Sequence, residues 1–336
     1  MNTRLSKNNR TLDLYTRFCS GKVIHKAEEA ERFGVDARSI QRDIDDIRAF
    51  LDECAVTESS DTRQIIYDRR KKGFVMTGND SRLMDNSEIL AVSKILLESR
   101  AFSKREITSI LDKLVLGCVP RKNMKLVSDL IANEKYHYVE LCHKSYHKEK
   151  LWGLGTQIRQ HNLLELAYYR QTDKRNPIKR TVCPVAILFS EYYFYLHAYI
   201  VEKNEQGVYE KKYDYPAIFR LDRIKSYKET GEKFEIPYAG RFEEGEYRKR
   251  IQFMYAGDLL RLQFRYTGEN VEAVLDRLPT AKVISEESGI IIEAEAYGQG
   301  ILMWLLSQGA AVEVLRPESI RQEMKEKVQE IVRLYS

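Results

Sequence analysis

The residues around Gly34 place a strong constraint on the fold of the first part of the chain. Lys26–Phe33 is rich in Ala and Glu, as in a short helix, and Gly34 ends it because glycine accepts the left-handed backbone of a helix C-terminus. Asp36 is a suitable N-cap for a second helix, since its carboxylate accepts from backbone N–H groups of the first turn. In that helix, apolar residues recur every three or four positions and form one stripe. The stripe consists of Ala37, Ile40, Ile44, Ile47 and Leu51.

A further helix is predicted over residues 8–20, ahead of this pair, from the spacing of its apolar residues. We therefore predict a helix-turn-helix; the alternative is a helical hairpin that only packs against its neighbours. The outward side chains of the second helix favour DNA binding, because they are of the types that contact base edges and phosphates in a major groove. This predicted recognition face consists of Arg38, Ser39, Gln41 and Arg42.

Two short β-type runs follow, Gln64–Tyr67 and Phe74–Thr77, with a basic run and a glycine between them. They predict a β-hairpin with a cationic tip, the wing of a winged helix, which would contact a flanking phosphate backbone. The tip residues are Arg69, Arg70, Lys71 and Lys72. Residues 1–80 hold fifteen Lys and Arg against fourteen Asp and Glu, so DNA binding must depend on local patches. The acids Asp43, Asp45 and Asp46 must then face the partner helix or solvent.

The length of 336 residues allows two or three domains. Residues 82–135 have long helical periodicity, which predicts a helical linker, and from about residue 137 the pattern changes to short β-type runs with a helix near Leu151–Gln160. Strands are predicted over Tyr136–Leu141, Leu164–Tyr169, Thr181–Leu188, Tyr193–Val201 and Ile218–Ile224, with a polar excursion before the last.

Glycine and charged residues cluster at Glu229–Glu246, and beyond them strands and helices alternate over about 80 residues. This alternation predicts a small α+β domain with ferredoxin-like order. The predicted fold is therefore multidomain α+β. Its parts are a helix-turn-helix domain over 1–80, a helical linker over 81–136, a β-domain over 137–232 and a C-terminal α+β domain over 246–336.

Composition and motifs disfavour several classes of protein. Five scattered cysteines without a C-x-x-C pair indicate reduced thiols, and the polar N-terminus has no secretory pattern, so we expect a cytoplasmic protein. No apolar run is long enough to cross a membrane. His143 and His147 lie beside Cys142, but no second ligand pair follows, and a chance cluster is favoured over a metal site. Since no catalytic motif is found either, we expect no enzyme activity and no cofactor.

The segment EYYFYLHAYI, residues 191–200, is the most aromatic strand candidate. Strand alternation places Phe194 and Leu196 on an apolar face and Tyr195 and His197 on the other. The phenols and the imidazole need hydrogen-bond partners if they are covered. Two interpretations stay open: a self-satisfied tyrosine–arginine network in a β-barrel, or a site where rings stack on a ligand and arginines pair with its phosphates.

The order of these motifs resembles that of bacterial WYL-domain transcriptional regulators. AERFGVDARSIQRDIDDI is similar to their DeoR-type winged helix, and Phe194-Tyr195-Leu196 matches the Trp-Tyr-Leu signature. AYYR (167–170), RTVCP (180–184) and FRLDRI (219–224) are similar to further strands of that domain, and residues 250–336 to the C-terminal extension. Phe194 replaces the signature tryptophan. Ala217 replaces an arginine of many members, and Lys211 or Lys212 are candidates to supply that charge.

The resemblance implies an Sm-like, SH3-type β-barrel over residues 137–232, a homodimer, and a pocket for single-stranded DNA or a nucleotide. By position, the ligand-binding candidates are Tyr168, Arg180, Tyr195, His197, Arg220 and Arg223. The expected function is that of a ligand-responsive regulator that binds double-stranded operator DNA, with no membrane partner. The alternatives are a nucleic-acid-processing enzyme, or a protein-interaction adaptor, that the winged helix targets to DNA.

Overall fold

The computed structural model describes residues 6–57, 63–78, 84–119, 121–142, 148–173, 175–235, 242–286 and 289–336. The chain divides into two compact units, Met1–Leu141 and Cys142–Ser336. Both combine helices with antiparallel strands, so the multidomain α+β class is confirmed. No helix within the described ranges is both long and apolar enough to cross a bilayer.

The first unit begins with three helices and a β-hairpin. They are α1 (Lys7–Cys19), α2 (Lys26–Phe33), α3 (Ala37–Thr57), β1 (Gln64–Asp68) and β2 (Gly73–Thr77). Gly34 ends α2 in the left-handed conformation with φ 64°, and the Asp36 carboxylate accepts from the backbone N of Ser39 at 2.6 Å, as predicted for a tight turn and an N-cap. The predicted stripe of α3 is buried from Ile40 to Leu51, whereas Ala37 is exposed.

The hairpin is joined to the segment between α1 and α2 by an antiparallel bridge between Ile24 and Phe74. Two backbone hydrogen bonds of 2.8 and 2.9 Å form this bridge. Both residues belong to the core that α1 and α3 share, together with Leu14 and Phe18. Phe74 pairs with Tyr67 one step from the turn, so the hairpin is held on the helices close to its tip, while the basic side chains of the tip extend into solvent.

Three further helices complete the first unit: α4 (Asn86–Ser99), α5 (Lys104–Cys118) and α6 (Arg121–Tyr136). Asp85 and Ser103 each begin a helix with a reciprocal capping box. The strand predicted over Tyr136–Leu141 is wrong. The Tyr138 ring is buried in the helical core, and its hydroxyl donates to the carbonyl oxygen of Phe102 at 2.7 Å. The apolar side chain that a strand would need for packing is therefore already buried among helices.

The second unit contains a six-stranded sheet preceded by one helix. Its elements are α7 (Lys148–Gln160), β3 (Asn162–Tyr168), β4 (Ile178–Ser190), β5 (Tyr193–Lys203), β6 (Tyr209–Lys211), β7 (Ala217–Arg220) and β8 (Ile224–Lys233). The strand order is β6-β5-β4-β3-β8, with β7 paired to β5. The expected closed barrel is not formed by these strands. Because β6 and β7 share the free edge of β5, β8 pairs only with β3.

A short helix, α8 (Glu244–Arg250), links this sheet to a second, four-stranded one. The remaining elements are β9 (Leu259–Tyr266), α9 (Val271–Arg277), β10 (Lys282–Ser285), β11 (Ile290–Tyr297), α10 (Gly300–Ser307), β12 (Val312–Arg316) and α11 (Glu318–Tyr335). The strand order β10-β11-β9-β12 and the βαββαβ succession are those of a ferredoxin-like domain, which the sequence predicted. Phe264 and Trp304 contact edge to face at 5.8 Å in its core.

An ion pair between Arg10 and Asp43 lies inside the first unit, where the two residues are 8% and 0% exposed. The Asp43→Asn variant leaves the Arg10 guanidinium buried without a counter-charge, which costs about 3–5 kcal/mol. We expect faster hydrogen exchange in peptides from α1 and α3 of the full chain, measured by mass spectrometry. The control is Asp46→Asn, whose partner Lys7 is solvent-exposed and whose pair is worth about 0–1 kcal/mol. If the two variants increase hydrogen exchange equally, the Arg10–Asp43 pair does not stabilise the core as described.

Candidate functional site

The recognition face of α3 carries two cations without a counter-charge. Arg38 and Arg42 are exposed, and neither has a carboxylate within 4.0 Å among the described residues. Gln41 is engaged at both ends of its amide: its oxygen accepts from Lys26 Nζ at 2.9 Å and its nitrogen donates to Asp45 at 2.9 Å. Ser39 is half-buried beside the cap. The two arginines are therefore the groups of this face that are available to a phosphate or a base edge.

The three acids that follow are each paired with a cation of the same unit. Asp43 is buried and accepts from Arg10, with Nη2 at 3.1 Å, Asp45 pairs with Arg48 at 3.0 Å, and Asp46 pairs with Lys7 at 2.8 Å. Their charge is therefore neutralised locally. The predicted DNA binding requires these acids to face the partner helix or solvent, and Asp43 meets this condition because it is buried against α1.

The tip of the hairpin presents its four basic side chains to solvent. The Asp68 carboxylate accepts from the backbone N of Arg70 at 2.8 Å and of Lys71 at 3.1 Å, which holds the turn. His25 Nδ1 donates to the carbonyl oxygen of Lys72 at 3.1 Å and ties the tip to the start of α2. Lys71 lies 3.9 Å from the Asp68 carboxylate, whereas Arg69, Arg70 and Lys72 have no carboxylate in range among the described residues.

In the second unit, Arg220 lies on the sheet opposite Tyr195 in the register of β5 and β7. Its guanidinium carbon is 3.4 Å from the centroid of the Tyr193 ring, a stacked cation–π contact. Its Nε and Nη2 donate to the two carboxylate oxygens of Asp222 at 3.0 and 2.8 Å. Arg220 is therefore held in one orientation and is already neutralised by a bidentate partner.

Lys150 of α7 holds the turn that carries this pair. Residues Leu221–Arg223 form one 3₁₀ turn, and Lys150 Nζ donates to the carbonyl oxygens of Ile224 at 2.6 Å and Leu221 at 3.4 Å. Burial lowers the pKa of Lys150, and nearby Asp222 opposes that shift. The FRLDRI segment is thus a turn fastened to α7 from inside the domain.

Tyr168, Tyr195 and Arg223 lie around the same turn, and with Arg220 they form what we call the arginine cluster. The Tyr168 hydroxyl oxygen accepts from the backbone N of Arg220 at 3.4 Å. Burial raises the pKa of Tyr195 to about 12, although Arg220 and Arg223 act in the opposite direction. Arg223 has no carboxylate within range in the described ranges, so it is the unpaired cation of the cluster. Four of the six ligand-binding candidates are therefore brought together.

Arg180 lies elsewhere on the sheet. In β4 it is eight residues from Leu188, the partner of Tyr195, or about 26 Å of strand length. It lines a separate groove of about 330 Å³ with Lys179, Lys203 and Tyr209. A ligand would have to extend along β4 and β5 to contact both Arg180 and the arginine cluster.

His197 is completely buried and both its ring nitrogens lack a hydrogen-bond partner in the described part of the chain. It stacks with Phe242 at 6.3 Å and meets the Tyr247 ring edge-on at 5.2 Å, so α8 covers it. Burial, with a smaller contribution from Arg248, lowers the pKa of His197 to about 4. His197 is therefore part of the seam between the sheet and α8, which we define by His197, Phe242 and Tyr247, and it has no direct access to a ligand.

Sequence reasoning missed three residues that shape these sites, Lys150, Asp222 and Tyr247, and placed Tyr193 on the polar face of the aromatic strand without selecting it as a site residue. Asp222 stands between Arg220 and Arg223 in the sequence and could have been recognised as their partner. Tyr247 lies in the segment where glycine and charge cluster, and no apolar periodicity indicated that α8 would form there. His143 and His147 lie outside the described residues.

The buried, neutral His197 makes stability depend on pH. Between pH 6.5 and about 4 the unfolded chain binds a proton that the folded chain does not, so stability falls as pH falls through this range. We expect His197 to contribute a loss of about 2 kcal/mol between pH 7.5 and 5. The His197→Phe variant should lack that part of the pH dependence and be more stable at pH 7.5, because no ring nitrogen is left unpaired. Urea unfolding of both proteins at the two pH values measures this, and identical pH dependence would contradict it.

Comparison with known proteins gives two matches to family models. The WYL domain model matches residues 152–229, and the WCX domain model matches residues 258–332. The first range covers the six-stranded sheet with most of α7, including the arginine cluster. The second covers the ferredoxin-like domain. No significant match was found among curated proteins.

Solved structures give low overall similarity. Proteasome accessory factor B/C (PafBC) of Arthrobacter aurescens is 17% identical with a TM-score of 0.31, over 96% of this chain and 47% of that chain. The chain thus spans about half the length of that structure. A protein described as CRISPR Cas-related is 16% identical with a TM-score of 0.37, over 76% of this chain and 75% of that chain. The assignment therefore depends on the two domain models in their order: the chain is a WYL-domain protein, in which a WYL domain is followed by a WCX domain.

Proposed function

We propose that this protein is a transcriptional regulator without catalytic activity, which binds operator DNA through its first unit and a nucleic-acid-type ligand through its WYL domain. The observation that carries the DNA-binding part is the pattern of charge on α3. Arg38 and Arg42 are exposed and have no ion pair among the described residues, while Asp43, Asp45 and Asp46 each have their own cation. A helix surface of this kind suits the major groove of a polyanion.

The element order supports a winged helix. Three helices, a bridge at Ile24 and a hairpin against which α3 packs are the parts of that motif. In this arrangement α3 is the recognition helix and the tip Arg69–Lys72 contacts the flanking phosphate backbone. The family is expected to be homodimeric, and two such heads would bind an inverted repeat.

The ligand part of the proposal is supported by the arginine cluster. Tyr195 supplies an aromatic ring for base stacking, the neighbouring Tyr193 has one face covered by Arg220, and Arg223 has no counter-charge among the described residues. Arg220 is neutralised by Asp222, so a phosphate would bind Arg223 first and reach Arg220 only in competition with Asp222. Single-stranded DNA and nucleotides fit this site because each has a base that can stack on a tyrosine ring and a phosphate that can pair with Arg223.

The ligand would regulate DNA binding only if it binds one conformation of the protein more tightly than another. Strand β5 carries Tyr195 and, two residues later, His197 in the seam with α8. Movement of β5 at the arginine cluster is therefore transmitted to α8, the helix that leads into the WCX domain. We propose that this is the path by which the ligand changes the arrangement of the dimer.

The Arg42→Ala variant tests the recognition face. We expect its affinity for a 30-bp duplex, selected from a random library by the parent protein, to fall by roughly 5- to 150-fold, since one specific contact of this kind is worth about 1–3 kcal/mol. If the contact is to phosphate, the slope of log K against log salt concentration also decreases by about 1. Fluorescence anisotropy over a range of salt concentrations measures both quantities.

The matched control is Arg32→Ala, which removes the same charge from α2. Arg32 pairs with Asp13 at 3.0 Å and with Glu29 at 3.4 Å, so it is not available to DNA. We expect its affinity to stay within about twofold of the parent. If Arg42→Ala binds like the parent, or if Arg32→Ala loses as much, α3 does not contact DNA as proposed.

A further inference from the structure

A cavity of about 460 Å³ lies in the WYL domain, away from the arginine cluster. Residues of β4, β5 and β6 and of the segment after β8 line it. The residues that matter below are Cys183, Tyr199, Tyr209, Lys211, Phe234 and Phe242. Its volume is in the range of small-molecule sites, about 300–1,000 Å³.

The floor of the cavity is apolar and uncharged. Leu163, Cys183 and Val201 form a buried cluster, and the rings of Tyr199, Tyr209 and Phe234 pack against it. Burial raises the pKa of the Cys183 thiol to about 11, so it stays neutral even though Lys211 acts in the opposite direction. The backbone N of Phe234 donates to the carbonyl oxygen of His161 at 3.0 Å, which holds that wall in place. The cavity therefore offers several aromatic surfaces at fixed positions.

One cation of the cavity is left without a counter-charge. Lys211 Nζ lies 3.9 Å from the centroid of the Tyr199 ring, and no described carboxylate is within ion-pair distance of it. Glu232 on the rim pairs with Lys203 at 3.6 Å, and Lys233 and Glu235 also lie on the rim. The neighbouring Lys212 is directed to Glu202 at 2.6 Å instead. The cavity thus combines aromatic walls with a positive charge, that of Lys211, which lies against one of its rings.

We propose that this cavity binds an aromatic small molecule with one acidic group, whose ring packs against Tyr209 and Phe234 and whose acid pairs with Lys211. The site is separate from the arginine cluster and does not depend on the proposed function. Phe242 lines the cavity and also stacks with His197 in the seam, so an occupant contacts the junction between the sheet and α8.

Isothermal titration of the full chain with 2-naphthoate and its neutral analogue 2-naphthamide tests the proposal. We expect naphthoate to bind the parent about tenfold more tightly than naphthamide, because only the acid pairs with Lys211. Lys211→Met should reduce naphthoate affinity to the level of naphthamide. Its matched control Lys212→Met should bind like the parent. Val208→Trp, which fills the cavity from the β5–β6 turn, should abolish binding of both compounds.

Titration with 5′-AMP tests whether the acidic group of the natural ligand is a phosphate. If AMP binds more tightly than naphthoate and this binding is lost in Lys211→Met, the occupant of the same site is a nucleotide. The Arg223→Ala variant should bind naphthoate normally, so a failure of the proposed function leaves this result intact. The proposal is overturned if the parent binds neither acid, if Lys211→Met binds the acids like the parent, if Lys212→Met weakens binding equally, or if Val208→Trp leaves it unchanged.

Discussion

The buried ion pair between Arg10 and Asp43 determines which charges α3 presents to solvent. It joins α1 to α3 inside the core, and it removes from the recognition helix the acid that lies next to Arg42. With Asp45 and Asp46 paired as well, a segment that is almost neutral by composition presents two unpaired arginines on one helix face. The proposed DNA binding depends on this arrangement of charges more than on the net charge of +5.

The same type of pairing organises the WYL domain. Asp222 holds Arg220 against Tyr193, and Lys150 fastens the turn that carries both residues. Arg223 is left as the cation available to a ligand. Because the neutralised Arg220 and the unpaired Arg223 are three positions apart, an anionic ligand at Arg223 would change the balance of charge in this turn. The proposed sensor would then have two electrostatic states, one with Arg223 unpaired and one with Arg223 paired to the ligand.

Much of the architecture follows from local sequence rules. The turn at Gly34, the cap at Asp36 and the stripe of α3 were predictable because each depends on residues close in sequence. The βαββαβ order was predictable from alternating periodicity. The strand expected near Tyr138 failed because tertiary burial of that ring overrode β propensity. The burial of His197 could not be foreseen, because the sequence of α8, which covers it, has no apolar periodicity. Tyr247 is the residue of α8 that is buried against His197. The distance of Arg180 from the arginine cluster depends on strand register, which single motifs do not specify.

The claim that a ligand at the arginine cluster controls DNA binding is tested most directly by measuring duplex affinity with and without a saturating single-stranded 12-mer. The account predicts a change of about 5- to 150-fold in the duplex Kd of the parent protein, the usual size of an allosteric coupling. It also predicts that duplex binding by Arg223→Ala does not respond to the 12-mer but otherwise matches the parent. If the duplex Kd of the parent is the same with and without the 12-mer, or if Arg223→Ala responds as the parent does, the account is contradicted.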